Sequence, residues 1–336
     1  MTSIQDLRTQ SKETERALFG EATYALNDKL DLTAGVRIGR SSIEFETQSS
    51  GVLLTGQFSP DVVIETKGKQ SETTTNPRLA VTYRPSDSLT LFAQASKGFR
   101  TGGPNLTAGL SPTPPPATYS SDSLWNYEFG QRLRLAGGAV QLNTTVYYID
   151  WSDIQASLYK GIAYTGNAGD ARVYGLEAEL VALPIPGLEL GSALSLSRGE
   201  LTKDVTDISR VSGVVGASKG DRLPASPEIK ASAYVQKTFD LADLPAYLRA
   251  DIQYVGEQFT DFGKAGVPFG DFTTVNLRAG VNLDRVELVA FVNNLFDSEG
   301  KMSAVDETLV GGIQLGERSA VRLRPVTAGL TVRARF

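Results

Sequence analysis

The chain has 336 residues, enough for one large domain or two ordinary ones, with 41% hydrophobic and 21% charged residues. Its net charge of -5 offers no basic surface for nucleic acid, and the absence of Cys and His removes disulfides, thiolate metal sites and Ser-His-Asp hydrolysis. No apolar run approaches the ~18 residues of a membrane helix, while a mean hydropathy of -0.14 still fits a transmembrane barrel, whose strands are only half apolar.

Residues 1–14 contain no apolar stretch of the signal-peptide kind and are expected to be a loop or disordered start. From residue 15 onward the chain repeats one unit: strand, tight turn, strand, long loop. The first pair is read at Arg16 to Leu26 and Leu30 to Phe45, joined at Asn27-Asp28-Lys29. The second is Asn76 to Tyr83 and Leu89 to Phe99, turning at Arg84-Pro85-Ser86-Asp87-Ser88, where Pro and Asp are ordinary turn residues. The third runs from Ser123 to Leu135 and from Ala139 to Tyr159 across Ala136-Gly137-Gly138. The fourth, Ala171 to Leu183 and Leu188 to Leu201, turns at Pro184-Ile185-Pro186-Gly187. The fifth is Pro227 to Phe239 and Tyr247 to Phe259, and the sixth Phe272 to Leu283 and Val286 to Phe296. In each, apolar residues alternate with polar ones, so the strand has one apolar and one polar face. Leu248, Ala250, Ile252 and Tyr254, for example, alternate with Arg249, Asp251 and Gln253.

The last segment shows the pattern in its purest form. Val326, Ala328, Leu330, Val332, Ala334 and Phe336 are apolar, and Thr327, Gly329, Thr331, Arg333 and Arg335 lie between them. About thirteen strands result, each about ten residues or longer, the length needed to cross a bilayer at a tilt. Short turns fall at one end throughout. The Gly-, Pro- and Ser-rich connections at 46–72, 100–121, 160–170, 202–225, 260–270 and 297–323 fall at the other. A soluble barrel would turn the apolar face inward, but so many long strands enclose a lumen too wide for Leu, Val and Ala to fill. The expected fold is therefore all-β: an antiparallel up-and-down transmembrane β-barrel with polar residues toward the lumen.

Several segments resemble the barrel of TonB-dependent outer-membrane receptors of the siderophore type. They are Ala95 to Gly103, Tyr147 to Gln155, Asn167 to Glu177, Gly220 to Pro224, Asn293 to Asp297 and the Phe-terminated last strand. They occur in the family's order, and the resemblance covers residues 15 to 336. It implies a 22-stranded barrel in the bacterial outer membrane, plugged by an amino-terminal globular domain and driven through TonB. Neither the plug nor the TonB box can be placed in this sequence. An odd strand count points to the carboxyl-terminal part of such a receptor, with TonB reached only through the missing amino-terminal part.

The resemblance also implies a receptor for energy-coupled uptake of a small nutrient complex such as a ferric siderophore, without enzyme activity, cofactor or resident metal. A passive porin-like channel, an outer-membrane enzyme or adhesin, and a soluble all-β ligand-binding protein stand as alternatives. Phe99, Arg100, Tyr119, Tyr159, Phe259 and Phe262 lie near the expected outer rim. Aromatic and Arg side chains suit a bulky anionic chelate through stacking and charge, though rim aromatics also pack on headgroups or loops. Phe336 is expected to signal to the barrel-assembly machinery, whose partner strand would pair with an exposed edge, or to anchor in the membrane interface. Asn293 to Asp297 are read as a strand terminator, and Glu177 and Glu179 as lumen lining.

Overall fold

The alternating segments form strands in the computed structural model, which describes residues 6–50, 63–106, 114–159, 163–209, 215–263, 266–308 and 314–334. Thirteen of them make one sheet. They are β1 (Asp6–Asn27), β2 (Leu30–Ser50), β3 (Ile64–Ser86), β4 (Leu89–Arg100), β5 (Asp122–Leu135), β6 (Val140–Ser152) and β7 (Ala171–Ile185). The remainder are β8 (Leu188–Leu201), β9 (Ile229–Leu241), β10 (Leu244–Val255), β11 (Phe272–Leu283), β12 (Val286–Asn293) and β13 (Thr327–Ala334). Neighbours in the sheet follow chain order, each antiparallel to the last. The tight turns all lie at one end. At Ala242-Asp243 both residues have positive φ (50° and 67°), the backbone twist that lets a two-residue turn match the twist of its strands.

The start of the chain differs from the sequence expectation. Residues 6–14 are strand, paired with β2 from Asp6↔Ser50 to Thr14↔Ser42. Alternation could not reveal this, because the loop end of β1 is polar on both faces and is held by backbone pairing. Lys67 pairs with Glu46, and Lys69 with Glu44, on the adjacent pair of strands. The strand expected to run unbroken to Tyr159 also stops earlier, at Ser152. Asp153 takes φ 56°, and the chain turns into a separate hairpin, Gln155–Tyr159 with Ala163–Asn167. Aromatic residues continue across the break, which hid it.

Register fixes the two faces. Leu32↔Val81, Ala93↔Phe129, Leu176↔Leu196, Ala250↔Leu277 and Leu288↔Val332 are direct cross-strand pairs on one face. That face is open: Leu79 is 62% exposed, Leu248 53% and Leu330 81%. A continuous band of solvent-exposed Leu and Val this large is what a lipid-facing wall presents and what a water-facing sheet avoids. The opposite face carries Arg37, Arg78, Gln94, Glu128, Asn143, Glu177, Arg249 and Asn276. On it, aromatic rings lie over glycines directly across the strand pair: Phe92 over Gly130, Tyr147 over Gly175, Tyr234 over Gly191 and Tyr247 over Gly280. A methyl group added to any of these glycines would overlap the ring.

Candidate ligand-binding site at the loop end

The dry core is not inside the sheet but above it. Ile154, Leu158, Ala168, Ala171, Leu201, Val205, Ala217 and Phe262 form one buried cluster, with Trp151, Tyr164 and Leu223 packed against it. These residues come from the connections after β6, β8 and β10 and from the strand ends they leave. Each connection is too short on apolar residues to bury them alone, so the three pool them.

Polar bonds fasten the hairpin at residues 155–167 over this end. Asp122, at the start of β5, is buried, and it sits directly opposite Arg100 at the end of β4, on the polar face. Its carboxylate accepts from Arg100 Nε at 2.9 Å, from the Arg100 Nη2 group, and from the Gln155 backbone N–H at 3.1 Å. The guanidinium also lies 4.8 Å from the centre of the Trp151 ring. The Gln155 side chain donates to the carbonyls of Thr101 and Ser120 at 3.0 and 3.1 Å. Asn105, also buried, donates to the Thr165 carbonyl and accepts from its N–H, both at 2.8 Å. Asn167 bonds Ser120 from both sides of its amide. Glu72 ties down the other connection by accepting from the N–H groups of Gly102 (3.0 Å) and Ser121 (3.2 Å).

Burial is the strongest influence on the Asp122 carboxyl and works to raise its pKa. The hydrogen bonds from Arg100 and the Gln155 N–H, with the Arg100 charge, outweigh it and hold the group below the ordinary carboxylate range. Asp170 is held low by Lys203 and by the Asp153 N–H against a smaller burial effect.

The six rim residues separate in this geometry. Arg100 faces inward with its side chain about half exposed (51%). Phe99, one residue earlier, belongs by alternation to the same face as Ala93 and Ala95, on the outside. Tyr119 is half-buried and lies against Gly103, its cross-strand partner. Tyr159 pairs through its backbone with Ala163, and its side chain lies outside the described residues, as does Phe336. Phe259 and Phe262 are 8% and 5% exposed, and so pack the loops where free rim aromatics were expected. Sequence reasoning missed Asp122, Gln155, Trp151 and Glu72. Only the β4–β5 register, Arg100↔Asp122, would have revealed the central pair. Among the described residues, no group of three or more acidic side chains is placed to hold a metal ion.

A thirteen-strand antiparallel meander with an exposed apolar face, a polar opposite face and a pooled loop core defines the wall of a transmembrane-type β-barrel. Residues 2–295 match the family described as TonB dependent receptor-like, beta-barrel. The chain belongs to this family. Two curated relatives are the metal-pseudopaline receptors CntO of Pseudomonas aeruginosa strains PAO1 and UCBPP-PA14. They are 28% identical over 69% of this chain and 26% identical over 87%. The matches span 31% and 38% of those relatives, so the chain corresponds to about a third of their length. Among solved structures, the ferric yersiniabactin uptake receptor FyuA from Yersinia pestis superposes with TM-score 0.81 at 20% identity, covering 99% of this chain and 47% of that one. The copper transporter OprC gives 0.69 at 18%, covering 97% and 48%. Both share the fold. These relatives are described as receptors and transporters.

Proposed function

We propose that the chain forms the carboxyl-terminal part of the barrel wall in an outer-membrane receptor for energy-coupled uptake of a small metal complex held by an organic chelator. The observation that carries this reading is the two-faced thirteen-strand sheet, apolar and exposed on one side and polar on the other. The relationship to CntO, a metal-pseudopaline receptor, supports the substrate class. The open first and last strands of the sheet are completed by further strands to a closed barrel, since a bilayer tolerates no unpaired edge. Coupling runs through TonB by way of a plug that lies outside this sequence, and insertion is signalled by the strand ending at Phe336. Arg100, Tyr119 and Tyr159 are the rim residues proposed to meet cargo, with Arg100 offering charge to an anionic chelate beside the Trp151 ring.

Uptake of labelled metal–chelator complexes by cells expressing the receptor tests this, in strains with and without TonB. Saturable accumulation that requires TonB is the expected result. Accumulation independent of TonB would identify a passive channel instead. Recovery of the protein in the soluble fraction would exclude the membrane reading altogether.

A further inference from the structure

On the polar face, the loop end of β1, β2 and β3 carries more acid than base. Glu13 and Gln70 share one row, with Ile43 between them. Glu15 and Glu72 share the next row toward the turns, with Ser41 between them. Arg37, on the same face, is spent on Glu15. Glu72 is answered by the N–H groups of Gly102 and Ser121. Among the described residues nothing pairs with Glu13. The Gln70 Oε1 atom is buried, and it too has no hydrogen-bond partner. Buried acceptors left without a donor are rare in folded proteins, because the loss of water is then uncompensated.

These two unanswered acceptors belong to one small space. Glu13, Ser41, Gln70, Glu72, Thr101 and Gly102 line it, and its volume is about 10 Å³, room for one water or one bare ion. The connection after β4 reaches it at Gly102, where a methyl group would overlap the Gln70 amide nitrogen. The lining holds two carboxylates, an amide oxygen and hydroxyl groups, and no basic side chain. Oxygen donors of this kind select hard cations. Calcium accepts irregular sets of about six to eight oxygens, waters included, whereas magnesium demands a near-ideal octahedron. Glu72 can take part while keeping its two N–H partners, since each carboxylate oxygen has a second lone pair.

We propose that this space binds one calcium ion, held by Glu13, Glu72 and the Gln70 carbonyl oxygen. The ion ties β1, β3 and the connection after β4 together at one point. The Thr101 carbonyl in turn accepts from the Gln155 side chain, so the same ion steadies the strip beneath the 155–167 hairpin. The site stands on unanswered acceptors and a space of matching size, and does not depend on what the receptor carries.

The test uses the full-length receptor in mild detergent, stripped of divalent ions with EDTA and dialysed. Calcium chloride is titrated in by calorimetry, and chymotrypsin cleavage within 101–121 is followed with and without it. The wild type is expected to bind calcium with a Kd of about 10⁻⁴–10⁻³ M, as weak extracellular sites do, and to be cut about tenfold more slowly when loaded. Glu13→Gln and Gln70→Leu should each weaken binding about tenfold. Glu15→Gln removes a carboxylate already held by Arg37 and should leave the affinity within about twofold. Equal affinity in Glu13→Gln and wild type overturns the proposal. So does equal weakening by Glu15→Gln, which would show a diffuse acidic surface. A space filled by water, or a direct bond from the Gln70 amide to Glu13, gives the same wild-type cleavage in calcium as in EDTA and overturns it too. Gel migration with and without heating checks that each variant is folded, and the wild-type cleavage arm needs no variant.

Discussion

Asp122 and Arg100 face each other directly across the β4–β5 pair, the acid buried and the base half in water. The asymmetry makes Asp122 the structural member of the pair. Its carboxylate holds the Arg100 side chain and the first N–H of the 155–167 hairpin at once. Asp122→Asn keeps the shape and loses the charge. Hydrogen bonds to charged groups contribute about 1.5–3 kcal/mol each. The hairpin should therefore open about 10- to 100-fold more often, read as faster limited proteolysis within 155–167. Cleavage at the wild-type rate would mean that the hairpin is held by its apolar contacts alone.

Acid should loosen the same region. Asp122 and Asp170, at the loop end, both have carboxyls held below their ordinary pKa in the folded protein. Groups depressed in this way add stability at pH values above their unfolded pKa, about 4, and lose it as pH falls through the lower folded values. With Trp125→Phe, the emission of Trp151 becomes the single tryptophan signal, because the chain has two tryptophans. It should stay constant from neutral pH to about pH 4 and change below that. A change centred near neutrality would contradict the assignment.

Adjacent residues of β8 separate the two faces cleanly. Leu194 pairs with Ala178 and Ala231 on the apolar face, whereas Ala193 pairs with Glu179 and Ser232 on the polar one. Leu194→Arg should cost about 2–4 kcal/mol in lipid vesicles, as for a cation on the lipid side of a barrel. Ala193→Arg places the same side chain beside Glu179 and should change stability by no more than about 0.5 kcal/mol. Denaturant titration of the vesicle-inserted receptor measures both, and equal costs would mean that the faces are wrongly assigned.

Gly280 has no room for a side chain beneath Tyr247. Gly280→Ala should destabilise the receptor by about 1–3 kcal/mol through overpacking. Adding Tyr247→Ala should recover part of that loss, since the two changes share one contact. Additive costs in the double-mutant cycle would show that the ring and the glycine are energetically independent.

The membrane-height part of the sheet was legible because its faces differ. Wherever Leu or Val alternates with Arg, Thr or Asn, as in β10 and β11, strand and facing follow from period two alone. The loop end was not, because contrast vanishes there. Residues 6–14 and 64–75 are polar on both sides, so only pairing partners reveal them as strand. The burial of Phe259 and Phe262 was hidden for a related reason. Phe262 buried among Leu158, Leu201 and Val205 looks in sequence like Phe262 exposed to cargo, since the neighbours that bury it come from other connections. Phe99 and Arg100 share the same height near the rim, yet adjacent strand residues point opposite ways.

The rings that recline on glycine also flatten the polar face. A tyrosine or phenylalanine standing upright would jut away from the sheet. Laid along the backbone, Phe92, Tyr147, Tyr234 and Tyr247 keep their bulk against the strands and offer flat aromatic faces in place of projections. The polar wall stays low in relief while its lining remains able to stack.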